Sequence, residues 1–148
     1  MSLEILLDKL ESIERCLANI ALYSNAPALE GYPHAWEDAI QTNLQRACEL
    51  TIDVANLLVQ ARDLGVSRTA AGAFRLLESA GWISSELAEE MSRMVRFRNV
   101  LAHRYKSLDP SAYERAKSLG IERIREFAML ALQLHPENAP NPPEPTSD

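Results

Sequence analysis

The feature that most constrains the fold of this chain is the spacing of its apolar residues, which is helical almost from end to end. In the first segment, apolar side chains recur at alternating intervals of three and four, at Leu3, Leu6, Leu10, Ile13, Leu17 and Ile20. A second segment, from Trp36 to Leu64, shows the same spacing. Such spacing places the apolar side chains along one side of a helix, and no segment of useful length alternates with the period of a strand. The sequence therefore predicts an all-α fold.

Glycine and proline mark the predicted ends of the first helices. The segment NAPALEGYP, residues 25–33, contains two prolines and a glycine and separates the first helix from the second. Gly65 follows the second helix, and Gly81 follows a shorter third helix predicted over residues 69–80. Glycine just after a helix is typical of a left-handed C-cap.

The fourth predicted helix begins after Ser84, and the last begins at Asp109, which Pro110 follows. Aspartate at the N-cap and proline at the first helical position are typical of a helix start. The stripe of the fourth helix is Leu87, Met91, Met94, Arg98, Leu101 and Tyr105, and that of the last is Tyr113, Ala116, Ile124, Phe127, Ala131 and Leu134. The prediction is a bundle of four main helices plus a short one.

Chain length and proline content predict the domain organisation. The 148 residues suit one domain with a single core. We expect this helical domain to span residues 1–135. Residues 136–148, PENAPNPPEPTSD, hold five of the eight prolines and almost no apolar side chains, so we expect a disordered tail.

Composition and charge exclude several classes of function. The net charge of −6 excludes nucleic-acid binding through overall basicity, so any contact with an anionic partner must come from a local patch. Cys16 and Cys48 have no CxxC spacing and are predicted to be buried thiols. The histidines show no metal-binding spacing, so we expect neither a metal site nor a cofactor.

The start of the chain and the length of its apolar runs indicate where in the cell the protein is expected. The opening MSLEILLDKLESIE carries acids within its apolar pattern, which is not typical of a signal peptide. No apolar run approaches the length of a membrane span. We therefore expect a cytoplasmic protein without a membrane partner.

The residues suited to chemistry are concentrated in RFRNVLAHRYK, residues 96–106. The basic residues of this region, with no acid between them, are Arg93, Arg96, Arg98, Arg104 and Lys106. Arginine presents a forked set of donors that suits phosphate oxygens. An imidazole such as that of His103 can move protons near neutral pH, and Asn99 adds a neutral donor and acceptor. These groups can cleave RNA without a metal, because histidine can deprotonate the 2′-hydroxyl while arginine stabilises the charge that develops on the phosphate.

Arg98 also has a structural interpretation. It falls on a stripe position that should face an apolar partner, where an arginine is costly unless its charge is paired or stays hydrated. Glu49 and Asp53 lie four residues apart on one side of the second helix and are candidate partners that would orient it. Taken alone, such a structural ion pair is the commoner arrangement, and solvated carboxylates or a local pair with Arg46 are equally compatible with the spacing.

Helix geometry limits the functional interpretation. Five residues of a straight helix separate Arg98 and His103, which places their side chains about 140° apart. Both can therefore act on one phosphate only if the helix bends near Asn99 or if two copies of the segment meet across a dimer axis. A two-fold interface would supply two arginines and two histidines to one site.

The same segment resembles a motif of a known family. Arg98, Asn99, His103 and Tyr105 match the Arg-Asn-x-x-x-His-x-Tyr pattern of HepT-like toxins, within the wider HEPN ribonuclease superfamily. The resemblance extends over FRNVLAHRYKSLD, residues 97–109. It also includes the preceding AFRLLESAGWIS and LQRACELTIDVANLLV, residues 44–59, with its Asp53.

The resemblance implies a homodimeric HEPN-type helical bundle. It further implies a metal-independent endoribonuclease that is the toxin of a type VII-like toxin–antitoxin system, with a composite cleft at the dimer interface. Arg98 and His103 would be the catalytic pair, with Asn99 in support. The implied partners are an RNA substrate and a nucleotidyltransferase antitoxin, which would neutralise the toxin by adding AMP to Tyr105. A bulky anionic nucleotide at that position would block RNA and mask the positive cleft.

Two other functions stay open on the residues alone. One is a non-catalytic HEPN module that binds a nucleotide or a protein and keeps the motif as a pocket. The other is an interaction bundle in which Arg98 is part of a structural ion pair.

Overall fold

The computed structural model describes residues 2–104, apart from the side chain of Arg104, and residues 109–138. Within these ranges the chain is all-α, as the periodicity predicts, and the only β-type pairing is an isolated bridge between Leu29 and Tyr32. The elements are α1 (Leu3–Ser24), α2 (Ala35–Ala61), α3 (Gly72–Ser79), α4 (Ser85–Arg104), α5 (Pro110–Arg115), a π turn (Ala116–Gly120) and α6 (Ile121–Leu134). In this part of the chain, no helix has both the length and the apolarity needed to cross a membrane.

The first two helices form an antiparallel pair whose connection is held by aromatic side chains. The predicted stripe of α1 is confirmed, since Leu6, Ile13 and Leu17 are buried against the rest of the bundle. At the turn, the rings of Tyr23 and Trp36 stack at 5.2 Å, and Trp36 Nε1 donates to the carbonyl of Pro27 at 2.8 Å. These contacts set the direction in which α2 begins.

The end of α2 differs from the prediction. The helix ends at Ala61 rather than Leu64, and Asp63 takes the left-handed conformation with φ 54°. The amide of Leu64 then donates to the carbonyl of Val59 at 3.0 Å, which closes the turn. Aspartate tolerates this conformation better than most residues, so the chain turns before it reaches Gly65.

The third helix is shorter than predicted, but its end is as expected. Thr69 lies outside the helix, and its hydroxyl accepts from the amide of Gly72 at 3.0 Å. Gly81 has φ 81°, and Trp82 N donates to the carbonyl of Leu77 at 3.0 Å. This is the glycine C-cap that the sequence predicts.

The final helical stretch contains a feature that the periodicity does not show. The π turn inserts one extra residue between α5 and α6, and Gly120 lies at its end, close to α4. A Cβ on Gly120 would come within 2.6 Å of Met94 Sδ. Glycine thus allows the π turn to approach α4 without displacing the side chain of Met94.

The core is formed by the facing stripes of α1, α2, α4 and α6 together with α3. Phe74 of α3 and Phe127 of α6 meet edge to face at 5.2 Å in its centre. Cys16 and Cys48 are free, buried thiols, as predicted.

The start of the expected tail is ordered. His135 is buried, and Asn138 N donates to its carbonyl at 2.8 Å. Residues 136–138 thus form a turn against the end of α6, although the sequence predicts disorder from residue 136. Residues 139–148 lie outside the described part.

Candidate functional site

The fourth helix, α4, carries the predicted site. The hydroxyl of Ser84 accepts from the amide of Leu87 at 3.1 Å and caps its first turn. The helix is then α-helical without interruption as far as Arg104. The apolar members of its predicted stripe, Leu87, Met91, Met94 and Leu101, are all buried. The helix therefore has no non-helical break near Asn99.

Arg98 lies on the core-facing side of α4 and is partly buried. Its Nε is buried and has no hydrogen-bond partner among the described residues. The guanidinium approaches α2 near Cys48. Burial raises the pKa of the Cys48 thiol to about 12, and the positive charge of Arg98 acts in the opposite direction. Among the described residues, Arg98 is therefore held by packing and by no ion pair.

The two carboxylates predicted to orient Arg98 have other partners. Asp53 Oδ2 lies 3.7 Å from Lys9 Nζ. Glu49 Oε1 accepts from Gln45 Nε2 at 3.2 Å. No ion pair joins either acid to Arg98 in residues 2–104 and 109–138. In the described part of the chain, Glu49 and Asp53 thus do not orient Arg98 by direct contact.

Asn99 and His103 are both exposed on α4. With the helix α-helical throughout, His103 points about 140° away from Arg98 and within about 20° of Arg96. Tyr105 and Lys106 fall outside the described residues, as does the side chain of Arg104. The structure thus places Asn99 and His103 in solvent and Arg98 at the edge of the core, and one protomer does not bring Arg98 and His103 together.

Acids that the motif does not contain partly neutralise its basic residues. Glu89 lies 4.0 Å from Arg93 and 3.6 Å from Arg96, and it accepts a 2.7 Å hydrogen bond from Arg75 of α3. This hydrogen bond is the main reason why the pKa of Glu89 is lowered. Arg75 also pairs with Glu78 at 3.1 Å. The spacing of four between Glu89 and Arg93 could have indicated their contact, but nothing local in the sequence indicates Arg75.

The residues that follow the motif are anchored by α5. Asp109 caps this helix, since its carboxylate accepts from the amide of Ser111 at 3.0 Å. Tyr113 packs its ring 6.4 Å from that of Phe97. Burial, together with the nearby Glu37, raises the pKa of the Tyr113 hydroxyl, which makes no hydrogen bond of normal geometry within the described part. Asp109 and Tyr113 thus fix the start of α5.

Metal-ligand side chains do not gather near this site. In the part of the chain that the structure describes, no three side chains of histidine, cysteine, aspartate or glutamate are placed to hold one metal ion. Within residues 96–103, the polar side chains on α4 are those of Arg96, Arg98, Asn99 and His103.

Comparison with known proteins identifies relatives of the whole helical domain. The chain matches the HepT-like family, described as Ribonuclease HepT-like, over residues 10–130. It is 29% identical over 106 residues to the mRNA nuclease HepT of Shewanella oneidensis, a match that covers 72% of this chain and 80% of that protein.

Solved structures with the same fold come from toxin–antitoxin complexes. A chain of a toxin–antitoxin complex with AMP-PNP has a TM-score of 0.79 and 25% identity, and the match covers 88% of this chain and 99% of that one. The tri-AMPylated HEPN toxin of Shewanella oneidensis, in complex with an MNT antitoxin, has a TM-score of 0.78 and 26% identity, with coverage of 88% and 97%. Since the family match spans most of the residues and the fold agrees over the same region, the chain belongs to the HepT-like ribonuclease family.

Proposed function

We propose that this protein is the toxin of a toxin–antitoxin pair and cleaves RNA through Arg98 and His103. The observation that carries the proposal is the state of Arg98, whose guanidinium has no carboxylate partner in the described part of the chain. An arginine left without a counter-ion at the edge of a core is suited to an anionic ligand such as phosphate. The HepT relative, named an mRNA nuclease, supports RNA as that ligand.

The proposed chemistry needs only side chains of this chain. His103 removes the proton from a ribose 2′-hydroxyl, and the 2′-oxygen attacks the adjacent phosphorus. The bond to the 5′-oxygen breaks, and this leaving oxygen takes a proton from solvent water. Arg98 stabilises the extra negative charge on the phosphate oxygens in the transition state, and Asn99 positions the RNA. Since these groups supply both proton transfer and charge stabilisation, the reaction requires no metal or other cofactor.

The site is completed by a second copy of the chain. On the uninterrupted α4 helix, Arg98 and His103 diverge by about 140°, so one protomer cannot direct both at the same phosphate. A two-fold axis beside α4 can bring His103 of one protomer towards Arg98 of its partner.

The proposed regulator is a nucleotidyltransferase antitoxin that adds AMP to Tyr105. The support comes from the related HEPN toxin that was solved in a tri-AMPylated form with its MNT antitoxin. Tyr105 follows His103 by two residues, so a nucleotide attached there would bring a negative charge and a large group next to the site. Toxin, RNA and antitoxin would meet in the cytoplasm.

The proposal can be tested by expressing the chain alone and together with a nucleotidyltransferase encoded beside its gene. The protein expressed alone should cleave RNA in the presence of excess chelator. His103→Ala and Arg98→Ala should each lower kcat by about 10²- to 10⁴-fold, because each removes a group that acts in the transition state. The co-expressed protein should gain the mass of AMP on Tyr105 and lose cleavage.

Arg125→Ala is the matched control for loss of an arginine. Arg125 lies on α6, where its Nη2 is 3.8 Å from Oε1 of Glu14 on α1. Its replacement should leave cleavage unchanged. If His103→Ala folds normally and keeps full cleavage, the catalytic assignment is wrong. Loss of cleavage on adding chelator would contradict metal independence, and an unmodified Tyr105 in an inhibited complex would contradict the regulatory role.

A further inference from the structure

A groove between α4 and α5 lies beside the exposed side of α4. Its volume is about 200 Å³, and it is lined by Arg93, Met94, Phe97, Ala112, Arg115 and Ala116.

The floor and rim of this groove differ in character. Met94 and Phe97 are buried side chains of α4, and Ala112 and Ala116 face them from α5 and the π turn. Arg93 and Arg115 stand on the rim. An apolar floor with cations at its edge matches the flat apolar faces and the phosphate of a nucleotide.

The cations on this side of α4 differ in how firmly they are paired. Arg115 donates to Glu90 at 2.7 Å, and Arg75 donates to Glu89 at 2.7 Å, so both are held by carboxylates. Arg93 and Arg96 reach the shared Glu89 only at 4.0 and 3.6 Å, and their side chains are 50% and 64% exposed. Of these four arginines, Arg93 and Arg96 are therefore the more available to contact phosphate.

Helix geometry connects these cations with the proposed catalytic residue. Arg96 and His103 are seven residues apart, which places them within about 20° of each other and about 10 Å apart along the helix axis. Arg93 lies one turn further on, beside the groove. An RNA strand whose scissile phosphate lies at His103 can thus follow α4 past Arg96 and Arg93.

We propose that the groove between α4 and α5 holds a base of the RNA strand that flanks the scissile phosphate, while Arg93 and Arg96 contact the phosphates of that strand. This inference rests on the proposed function, because it extends the same site. It places the limit of the RNA footprint near Glu89, where the surface of α4 becomes acidic with Glu86 and Glu90.

The test compares two substrates cleaved by the full-length protein. A dinucleotide contains only the scissile phosphate, whereas a longer single strand reaches the groove. In the double variant Arg93→Gln/Arg96→Gln, KM for the longer strand should rise while kcat is unchanged, because remote phosphate contacts bind the ground state and the transition state equally. The slope of log affinity against log salt should fall by about 1.4, which corresponds to two lost contacts on a single strand.

Ala112→Leu tests the base site separately, because it fills the groove without changing charge. KM for the longer strand should rise at least about fivefold, the low end of the effect of losing one stacked base. The salt slope should stay the same. Ala112→Ser, which keeps the groove open, is the conservative control, and Arg125→Gln controls for loss of a positive charge elsewhere.

Glu89→Gln tests the sign of the electrostatic effect. Removing the shared carboxylate should lower KM for the longer strand, since Arg93 and Arg96 then lose their competing partner. A role of Glu89 in stability alone would not tighten RNA binding.

The outcomes separate this inference from the function on which it rests. If the wild type cleaves both substrates and the groove variants leave KM for the longer strand unchanged, the inference is wrong and the proposed function stands. Loss of dimers, or of antitoxin binding, with normal KM would show that this surface contacts protein instead of RNA. If the wild type cleaves neither substrate, the proposed function is wrong. The groove is then tested by measuring the affinity of the longer strand for the wild type and for the same variants, and equal affinities would contradict the inference.

Discussion

At the residue scale, the side chain of Arg98 lowers the stability of the fold and is at the same time suited to binding an anion. Its buried Nε lacks a hydrogen-bond partner in the described part of the chain. An unsatisfied buried donor costs about 1–3 kcal/mol. Proteins keep such locally unfavourable residues mainly at functional sites, where stability and activity are in conflict.

Arg98→Met should therefore raise stability and abolish function. Methionine keeps the length of the side chain and removes the unsatisfied donor, so the free energy of unfolding should rise by about 1 kcal/mol. RNA cleavage should be lost in the same variant. Urea unfolding and a cleavage assay on the same preparation measure the two effects.

Arg93→Met is the control for this variant. Because Arg93 is exposed and only loosely paired, its replacement should change stability by less than about 0.5 kcal/mol. A clear loss of stability in Arg98→Met would mean that the guanidinium supports the fold, and the interpretation of its unpaired state would be wrong.

At the scale of elements, helix starts and apolar stripes follow from local sequence, whereas irregular turns do not. The stripes of α1 and α4 were predictable because each depends on spacing within one helix. The π turn before α6 was not, because the close approach of Gly120 to Met94 involves another helix and leaves no local pattern. Asp63, rather than Gly65, ends α2 for a similar reason, since both residues tolerate the left-handed conformation and spacing alone does not choose between them.

The start of α5 offers a test at this scale. Asp109→Ala removes the N-cap and should lower stability by about 1 kcal/mol, whereas Asp109→Asn should stay close to the wild type, because asparagine also accepts from backbone amides. Thermal unfolding of the two variants measures the difference. Equal losses in both variants would assign the effect to the charge of Asp109 instead of its capping hydrogen bond.

At the scale of the whole molecule, the divergence of Arg98 and His103 has a consequence for catalysis by two protomers. If the catalytic pair forms between protomers, Arg98→Ala and His103→Ala chains should complement each other when mixed. A mixed dimer then contains one intact pair, formed by Arg98 of one chain and His103 of the other.

The expected recovery follows from the composition of the mixture. After unfolding and refolding of equal amounts, half of the dimers are mixed and each has one of its two pairs intact, so activity should return to about one quarter of the wild-type value. Each variant alone should remain inactive. No recovery in a mixture that contains mixed dimers would show that the pair acts within one chain.

By itself, the sequence determined the helical class of this protein, most helix starts and the position of the motif on the fourth helix. These properties depend on apolar spacing and capping within a few residues. Only the tertiary structure decided whether Arg98 meets a carboxylate, which acids reach Arg93 and Arg96, and where a groove opens beside them. Those properties depend on how α2, α3 and α5 pack against α4, and contacts between helices distant in the sequence are not encoded in the local pattern of any one of them.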